Sequence, residues 1–288
     1  MPNISTLVDD MNNVLKNGSL SLTEGLLSGL GSEVASKFKR QLTKEDRKYE
    51  FGTLYASDIG RPCVRELWYK YRNTDKESLS GSTVLKFLYG DIIEDVVLHL
   101  ATLAGHEVKH QQAVVEKELS NGWRVRGRID AVIDDALIDV KSVATQGFYK
   151  FESNLVDDPF GYRFQLGTYS AFFDSCPTSN AGFLCIDKSL GHIKYYDFSA
   201  DIPSPSKVVD HAENCVKAIE AETPPTQLDA VESGKSGNLK LCTTCSYCSY
   251  KATCWKDAND GQGLLSYAYS NKVEHLIKVV KEPKVDRA

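Results

Sequence analysis

Two strand-forming stretches around Asp134-Asp135 constrain the fold of this chain more than any other feature. Residues 123–133 and 136–142 are rich in aliphatic and β-branched side chains, and the two aspartates between them suit a two-residue turn. That turn places Asp130 directly opposite Asp139, and opposed residues on paired strands have Cβ atoms roughly 4.5–5.5 Å apart. Facing carboxylates repel each other unless a cation or a proton lies between them. The hairpin therefore predicts a site for a hard divalent cation, with Mg²⁺ as the expected occupant.

Basic side chains are expected on the same face of this hairpin. Lys141 lies two residues beyond Asp139, so the two-residue period of a strand puts both on one face. The same alternation predicts a row of cations on the Asp130 face, formed by Arg124, Arg126 and Arg128. The sequence thus predicts a cationic strand that leads to an acidic pocket.

The composition is that of a globular protein with one large domain and an appendage. The chain has 288 residues, 42% of them hydrophobic, and a net charge of -5. It lacks the roughly 18 consecutive apolar residues that a membrane-spanning helix needs, and residues 1–13 are acidic, unlike a secretory signal. We therefore expect a cytoplasmic protein without a membrane contact. The mild negative charge argues against coating DNA by bulk attraction, but not against a local nucleic-acid site.

Four regions are predicted along the chain: an N-terminal helical extension (1–50) outside the core, a core (51–225), a cysteine-rich region (226–260) that begins as a polar linker, and a helical tail (261–288). Within the core we expect a helix from Ser57 to about Tyr71, a helix over 82–103, a strand over 106–119 joined to the next by a type I′ turn at Asn121-Gly122, and a helix over 159–174. A basic run in the extension is expected to form a solvated helix face rather than a nucleic-acid contact; it comprises Lys37, Lys39, Arg40, Lys44, Arg47 and Lys48.

Four motifs occur in an order that resembles a known family. The acidic hairpin carries Gly127-Arg128-Ile129-Asp130 followed by Asp139-Val140-Lys141, and this resembles the PD-(D/E)XK nuclease superfamily. Downstream, Gln165 and Tyr169 stand one helical turn apart and resemble the Q-x-x-x-Y motif of its RecB-like branch. Upstream, Gly90 followed by Glu94 resembles the helical acidic ligand of that branch. The alternative is that the aspartates are solvated strand residues, Gln165 a surface amide and Tyr169 a core residue.

The resemblance implies an α/β restriction-endonuclease-like core, with a mixed central sheet flanked by helices. It implies a metal site of Glu94, Asp130, Asp139 and the carbonyl of Val140, occupied by Mg²⁺ or Mn²⁺. Lys141 would polarise the attacking water and stabilise charge on the phosphate, while Gln165 and Tyr169 would contact the DNA strand. The implied chemistry is hydrolysis of a phosphodiester bond.

Five of the eight cysteines call for a separate explanation. Cys242, Cys245, Cys248 and Cys254 crowd together, and Cys63 stands alone far upstream. The set Cys63, Cys245, Cys248 and Cys254 resembles the iron–sulfur staple of the CRISPR-adaptation and AddB-type nucleases, which implies a [4Fe-4S] cluster. Cys242 could instead complete a local four-thiolate Zn²⁺ site. The remaining cysteines, Cys176, Cys185 and Cys215, are expected in the apolar core.

The sequence favours a metal-dependent DNA nuclease, most simply an exonuclease in recombination, repair or processing, of a compact kind that suits a phage. Its expected partner is DNA, single-stranded or with free ends. One alternative is a non-catalytic, metal-stapled module that binds nucleic acid, although the intact acidic hairpin argues against it. Another is a nuclease subunit that works with a helicase or another recombination partner, or in a CRISPR adaptation complex.

Overall fold

The computed structural model describes residues 3–19, 21–43, 49–174, 180–270 and 272–288. The chain forms two compact units. Unit 1 comprises Met1–Arg47, Gly52–Gly60 and Ser80–Glu213, and unit 2 comprises Lys48–Phe51, Arg61–Leu79 and Asn214–Ala288. Across the described ranges, no helix is both long enough and apolar enough to cross a bilayer.

The described helices are α1 (Leu7–Asn17), α2 (Glu24–Thr43), α3 (Ala56–Ile59), α4 (Val64–Tyr71), α5 (Gly81–Leu103), α6 (Thr145–Glu152), α7 (Tyr162–Phe172), α8 (Pro205–Glu220), α9 (Thr243–Ser246), α10 (Lys251–Cys254) and α11 (Ala258–Gly261). The strands are β1 (Thr53–Tyr55), β2 (Val108–Lys109), β3 (Val114–Glu118), β4 (Arg124–Arg128), β5 (Ala131–Ile133), β6 (Ala136–Val143), β7 (Ala181–Asp187), β8 (Ile193–Asp197), β9 (Val231–Ser233), β10 (Asn238–Lys240), β11 (Leu265–Ala268) and β12 (Val273–Lys278).

A five-stranded mixed sheet forms the centre of unit 1, in the order β2-β5-β6-β7-β8. β6 and β7 run parallel, and the other neighbours run antiparallel. Every residue of β7 is buried, which explains its nearly continuous apolar sequence. Helix α5 packs on this sheet through Val97, Leu98 and Ala101. The predicted α/β class, a mixed sheet flanked by helices, is confirmed.

The register of the acidic hairpin is the predicted one. Asp134 and Asp135 have φ of 47° and 63°, the left-handed pair that a two-residue turn of type I′ requires. The turn pairs Ala131 with Ile138 and continues through Ile133. A short local turn sets the register here, so it could be foreseen from sequence.

Arg124, Arg126 and Arg128 are exposed and alternate along β4 as predicted, but the prediction that this row shares a face with Asp130 is wrong, because residues 123–133 do not form one strand. β4 lies between β1 and β3 in a separate three-stranded sheet, and β5 begins only after Asp130. Arg124 and Arg126 pair across their own sheet with Glu116. Fully buried Ile129 marks the point where the chain passes from one sheet to the other, so the two-residue alternation does not continue through it.

The stretch 106–119 is likewise divided, into β2 and β3. His110 and Gln112 both have φ of 55°, a left-handed conformation that interrupts a strand. The next turn does join β3 to β4 as a hairpin, but its loop is longer than predicted. The Leu119 N–H donates to the carbonyl of Trp123, and within the predicted Asn-Gly pair only Gly122 has a positive φ.

The N-terminal extension is helical as predicted, but the expectation that it lies outside the core is wrong. Leu7 and Met11, one turn apart on α1, have no exposed surface and pack with α5 and the central sheet. Burying two such side chains contributes about 1.5–3 kcal/mol each. Cys185 and Cys215 are fully buried, as predicted, whereas Cys176 lies outside the described residues.

Two predictions for unit 2 are wrong. The expected polar linker forms β9 and β10, and the expected helical tail forms β11 and β12, all in one antiparallel sheet of order β11-β12-β10-β9. In β12, Glu274 and Leu276 are buried while their neighbours are more exposed. That alternation is a strand pattern, and a short strand with a charged buried residue is easily mistaken for an amphipathic helix.

Candidate active site

Asp130 and Asp139 lie together at the acidic hairpin. Asp139 belongs to β6 and is only 2% exposed, and Asp130 immediately precedes β5. The backbone N–H of Val140 donates to Asp130 Oδ2 at 2.7 Å, so the Asp130 side chain reaches across to the strand that carries Asp139. The fold thus holds the two carboxylates within one buried region.

The electrostatics of this pair show an excess of negative charge. Burial raises the pKa of Asp130 well above its usual range, and the charges of Asp139 and Glu94 raise it further. Lys141 forms an ion pair with Asp139. Burial by itself would lower the pKa of Lys141, but Asp139 and Asp130 outweigh burial and raise it. Lys141 therefore remains protonated and serves as a fixed positive charge.

Glu94 reaches the same region from α5. Its Oε1 accepts hydrogen bonds from Gln112 Nε2 at 2.8 Å and from Lys37 Nζ at 3.2 Å. Burial raises the pKa of Glu94, and the charge of Lys37 opposes that shift. The sequence does not predict a role in the site for Lys37 or Gln112. Their contacts join segments that are distant in the chain, and no local pattern predicts such contacts.

The expectation of a solvated basic face on α2 is wrong for Lys37, which is half-buried against α5 and pairs there with Glu94 and Asp95. Arg40 is exposed as predicted, and its Nη2 pairs with Asp91 at 2.8 Å. Lys39 is exposed as predicted. The other members, Lys44, Arg47 and Lys48, lie outside the described residues.

Gln165 and Tyr169 lie one turn apart on α7, and Gln165 Nε2 donates to the Tyr169 hydroxyl at 3.1 Å. Burial raises the pKa of Tyr169 to about 12, and the charge of Asp139 contributes, which places the phenol near the carboxylates. The ring lies against Gly127, where an added Cβ would come within 2.7 Å of Tyr169 Cε1. Gly127 is thus required for the close approach of α7 to β4.

The donor set suits a hard divalent cation, since it consists of carboxylate and carbonyl oxygens. Burial is the larger cause of the raised pKa of Asp130, and the charges of Asp139 and Glu94 add to it; a divalent ion would offset both effects. Among the residues that the structure describes, no group of three or more His, Cys, Asp or Glu side chains is already arranged so that it could hold a metal ion. The backbone brings the oxygens to one region, and side-chain rotation would have to close them on the ion.

Metal-free protein carrying Asp130→Asn is expected to melt about 3 °C above the parent at pH 7. The pKa of Asp130 is higher in the fold than in the unfolded chain, where it is about 3.9. Ionisation therefore costs the folded parent stability as the pH rises from about 4 through the folded-state pKa. The amide removes this cost, so the difference should vanish near pH 4. Thermal melts in EDTA measure it.

The matched control is Asp139→Asn, which should lower the melting temperature because it deprives Lys141 of its ion partner. An Asp130→Asn protein that melts at or below the parent at pH 7 would show that the carboxylate is not under electrostatic stress.

Four cysteines surround one small cavity in unit 2. Cys63, from the segment before α4, lines this cavity together with Cys245, Cys248 and Cys254. The cavity has a volume of about 10 Å³. Cys242 is not among the lining residues, although it lies close enough to Cys245 to raise the pKa of that thiol after burial, the larger cause. The fold therefore brings the distant Cys63, rather than Cys242, to the cavity.

Across the described ranges these four sulfurs are not already arranged as a metal site, but some of their contacts are of the kind that metal-bound sulfur makes. Burial raises the pKa of Cys63, and it raises the pKa of Cys248 to about 12, so without a metal both remain neutral. Arg65 lines the same cavity, where its positive charge can offset thiolate charge. The N–H of Tyr250 points at Cys248 Sγ at 3.4 Å, a contact typical of ligating sulfur.

Comparison with known proteins gives one family match. The family model of the PD-(D/E)XK nuclease superfamily matches residues 56–255. None of the curated proteins compared with the chain matches it. Among solved structures, the crystal structure of SSO0001 is 18% identical with a TM-score of 0.46, over 78% of this chain and 94% of that one.

An alkaline exonuclease (LHK-Exo) from Laribacter hongkongensis is 14% identical with a TM-score of 0.38, over 58% of this chain and 86% of its own. The structure of LHK-Exo in complex with dAMP is 15% identical with a TM-score of 0.36, over 68% and 90%.

Proposed function

The chain belongs to the PD-(D/E)XK nuclease superfamily, and on this premise we propose that it is a Mg²⁺- or Mn²⁺-dependent deoxyribonuclease that digests DNA from free ends. The observation that carries the proposal is the pair of half-buried Asp130 and buried Asp139 beside a protonated Lys141. A carboxylate pair can hold a divalent ion, and a fixed cation can stabilise charge on the phosphate, so this combination suits metal-dependent phosphodiester hydrolysis.

In this proposal the ion is held by Glu94, Asp130, Asp139 and the Val140 carbonyl. When bound, a divalent ion supplies Lewis-acid activation of water and neutralises phosphate charge. Lys141 keeps its proton, so its role is to stabilise negative charge that develops on the phosphate rather than to accept a proton. Asp139 holds the Lys141 ammonium in place through their ion pair.

Gln165 is proposed to contact the DNA strand beside the ion, and Tyr169, which was also expected to contact DNA, is proposed to hold Gln165 in place. Their mutual hydrogen bond fixes both side chains on one face of α7, near the carboxylates. Gln165 is partly exposed and can reach a strand, whereas Tyr169 is largely buried and supports it.

Gln165→Ala and Tyr169→Phe are expected to reduce cleavage by about tenfold, because each removes a hydrogen bond to substrate or to its neighbour without removing a metal oxygen. Single-turnover cleavage at saturating DNA measures this. If either variant lost as much activity as Asp139→Ala under those conditions, this division of roles would be wrong.

We further propose that Cys63, Cys245, Cys248 and Cys254 hold a [4Fe-4S] cluster. Their convergence on one cavity supports this ligand set over one that includes Cys242. Four thiolates also suit structural Zn²⁺. Colour separates the two: anaerobically purified protein should be brown if it holds iron–sulfur and colourless if it holds zinc.

The test of the proposed activity is digestion of end-labelled linear DNA and covalently closed circular DNA with Mg²⁺, Mn²⁺ or EDTA. An exonuclease degrades only the linear DNA, and only with a divalent ion. Cleavage of the circle would identify an endonuclease. Binding without cleavage under every condition would overturn the proposal in favour of a non-catalytic module.

A further inference from the structure

Two hydrogen-bond donors hold Glu94, and neither belongs to the recognised motifs. We propose that Lys37 and Gln112 are positioning residues that orient Glu94 for the divalent ion, so that helix α2 forms part of the active site. This inference rests on the proposed function. It follows from the fact that both donors meet the same oxygen, Glu94 Oε1.

Gln112 links two of the proposed ligand residues directly. Its side-chain amide donates to Glu94 Oε1 at 2.8 Å, and its backbone N–H donates to the carbonyl of Asp130 at 3.2 Å. The residue has φ of 55°, a conformation that a non-glycine residue adopts only where its surroundings enforce it. Gln112 therefore links Glu94 on α5 to Asp130 at the hairpin through one residue in a strained backbone conformation.

Lys37 approaches Glu94 from α2, which precedes the family-matched residues 56–255. Its Nζ lies 2.6 Å from Asp95 Oδ1 and donates to the Asp91 carbonyl at 2.9 Å. The charge of Asp95 balances that of Lys37, so the pair adds little net charge to the site. What Lys37 offers Glu94 is mainly a directed hydrogen bond from an ammonium group already fixed by two other contacts.

Hydrogen bonds to a ligating carboxylate fix its orientation, and their loss typically weakens metal binding by about 10- to 100-fold. A carboxylate on a long Glu side chain has several rotamers, and only those that face Asp130 can serve the same ion. Because two donors hold Glu94 Oε1, the rotamers that face away from Asp130 are disfavoured before the ion binds. The expected signature is a weaker affinity for the ion with an intact maximal rate.

The test compares Lys37→Met and Gln112→Leu with two matched controls, Lys39→Met and Gln111→Leu, whose side chains are exposed neighbours of the same type. Mn²⁺ binding to DNA-free protein is measured by calorimetry, and cleavage is measured against Mn²⁺ concentration. We expect about tenfold weaker Mn²⁺ binding and a matching rise in the Mn²⁺ needed for half-maximal cleavage for both test variants. The controls should match the parent.

Lys37→Met leaves buried Asp95 without its cation and can destabilise the fold, so Lys37→Arg, which keeps the charge, should restore much of the Mn²⁺ affinity. Gln112 is exposed, and its variant tests the inference even if Lys37→Met fails to fold.

Folded variants that bind Mn²⁺ as tightly as the parent would overturn the inference. Tighter binding by Lys37→Met would show that Lys37 competes with the ion for Glu94 instead of positioning Glu94, and would overturn it as well. If the parent itself neither binds Mn²⁺ nor cleaves DNA, the proposed function fails; if it does both, only the positioning role is at stake.

Discussion

Replacement of Asp139 by alanine is expected to abolish DNA cleavage, by at least about 10³-fold, while DNA binding in EDTA persists. Asp139 is buried and is the ion partner of Lys141, so its loss would remove an oxygen of the proposed metal site and would free the ammonium group. Lys141→Ala should be similarly inactive, because it removes charge needed mainly in the transition state. Cleavage rates of end-labelled DNA and fluorescence anisotropy measure the two properties separately.

Asp135→Asn, which removes the charge but keeps a residue that accepts the left-handed turn conformation, and Lys194→Ala are the matched controls for these variants. Asp135 lies exposed in the turn of the same hairpin, and Lys194 lies in the same sheet, on β8. Both control proteins should cleave at the parental rate. If Asp139→Ala and Lys141→Ala cleaved DNA as fast as the controls, the hairpin would not be the active site.

Cys63→Ser is expected to destabilise the whole of unit 2, by about 4 kcal/mol. Cys63 lies in one chain segment of that unit, and the other three cavity cysteines lie in another. A metal bound by all four closes a loop that includes most of the nuclease core, and such closure constrains the unfolded chain. Chemical denaturation followed by tryptophan fluorescence measures the loss, since Trp68 and Trp255 both belong to unit 2.

Cys242→Ser is the control, and it should have a mild effect because Cys242 does not line the cavity. Metal analysis of both variants should show the metal lost from Cys63→Ser and retained by Cys242→Ser. The opposite order of severity would mean that the ligands are the four clustered cysteines and that Cys63 is only a buried thiol.

Local features determined what the sequence could predict. The hairpin register follows from two adjacent aspartates that accept left-handed backbone conformations, and the pairing of Ala131 with Ile138 needs no distant contact. The spacing of Gln165 and Tyr169 likewise follows from one helical turn. Both are properties of short segments, and the structure has them as the sequence predicts.

The errors arise where distant parts of the chain decide the outcome. The alternation through Arg128 and Asp130 looked continuous, but β4 pairs with β1 from far upstream and leaves the central sheet. The sequence predicts Lys37 as one member of a solvated basic run, but in the fold it pairs with Glu94 and Asp95 of α5. A sequence pattern shows which side chains can be buried or paired, but their partners are set by tertiary contacts.

The most direct measurement of the central claim is anomalous diffraction from crystals of the protein soaked in Mn²⁺. A manganese peak is expected between the carboxylates of Asp130 and Asp139, beside the carbonyl of Val140 and within reach of Glu94. The peak should be lost from crystals of Asp139→Ala. A manganese peak elsewhere in a protein that cleaves DNA, with none at the acidic hairpin, would contradict that claim.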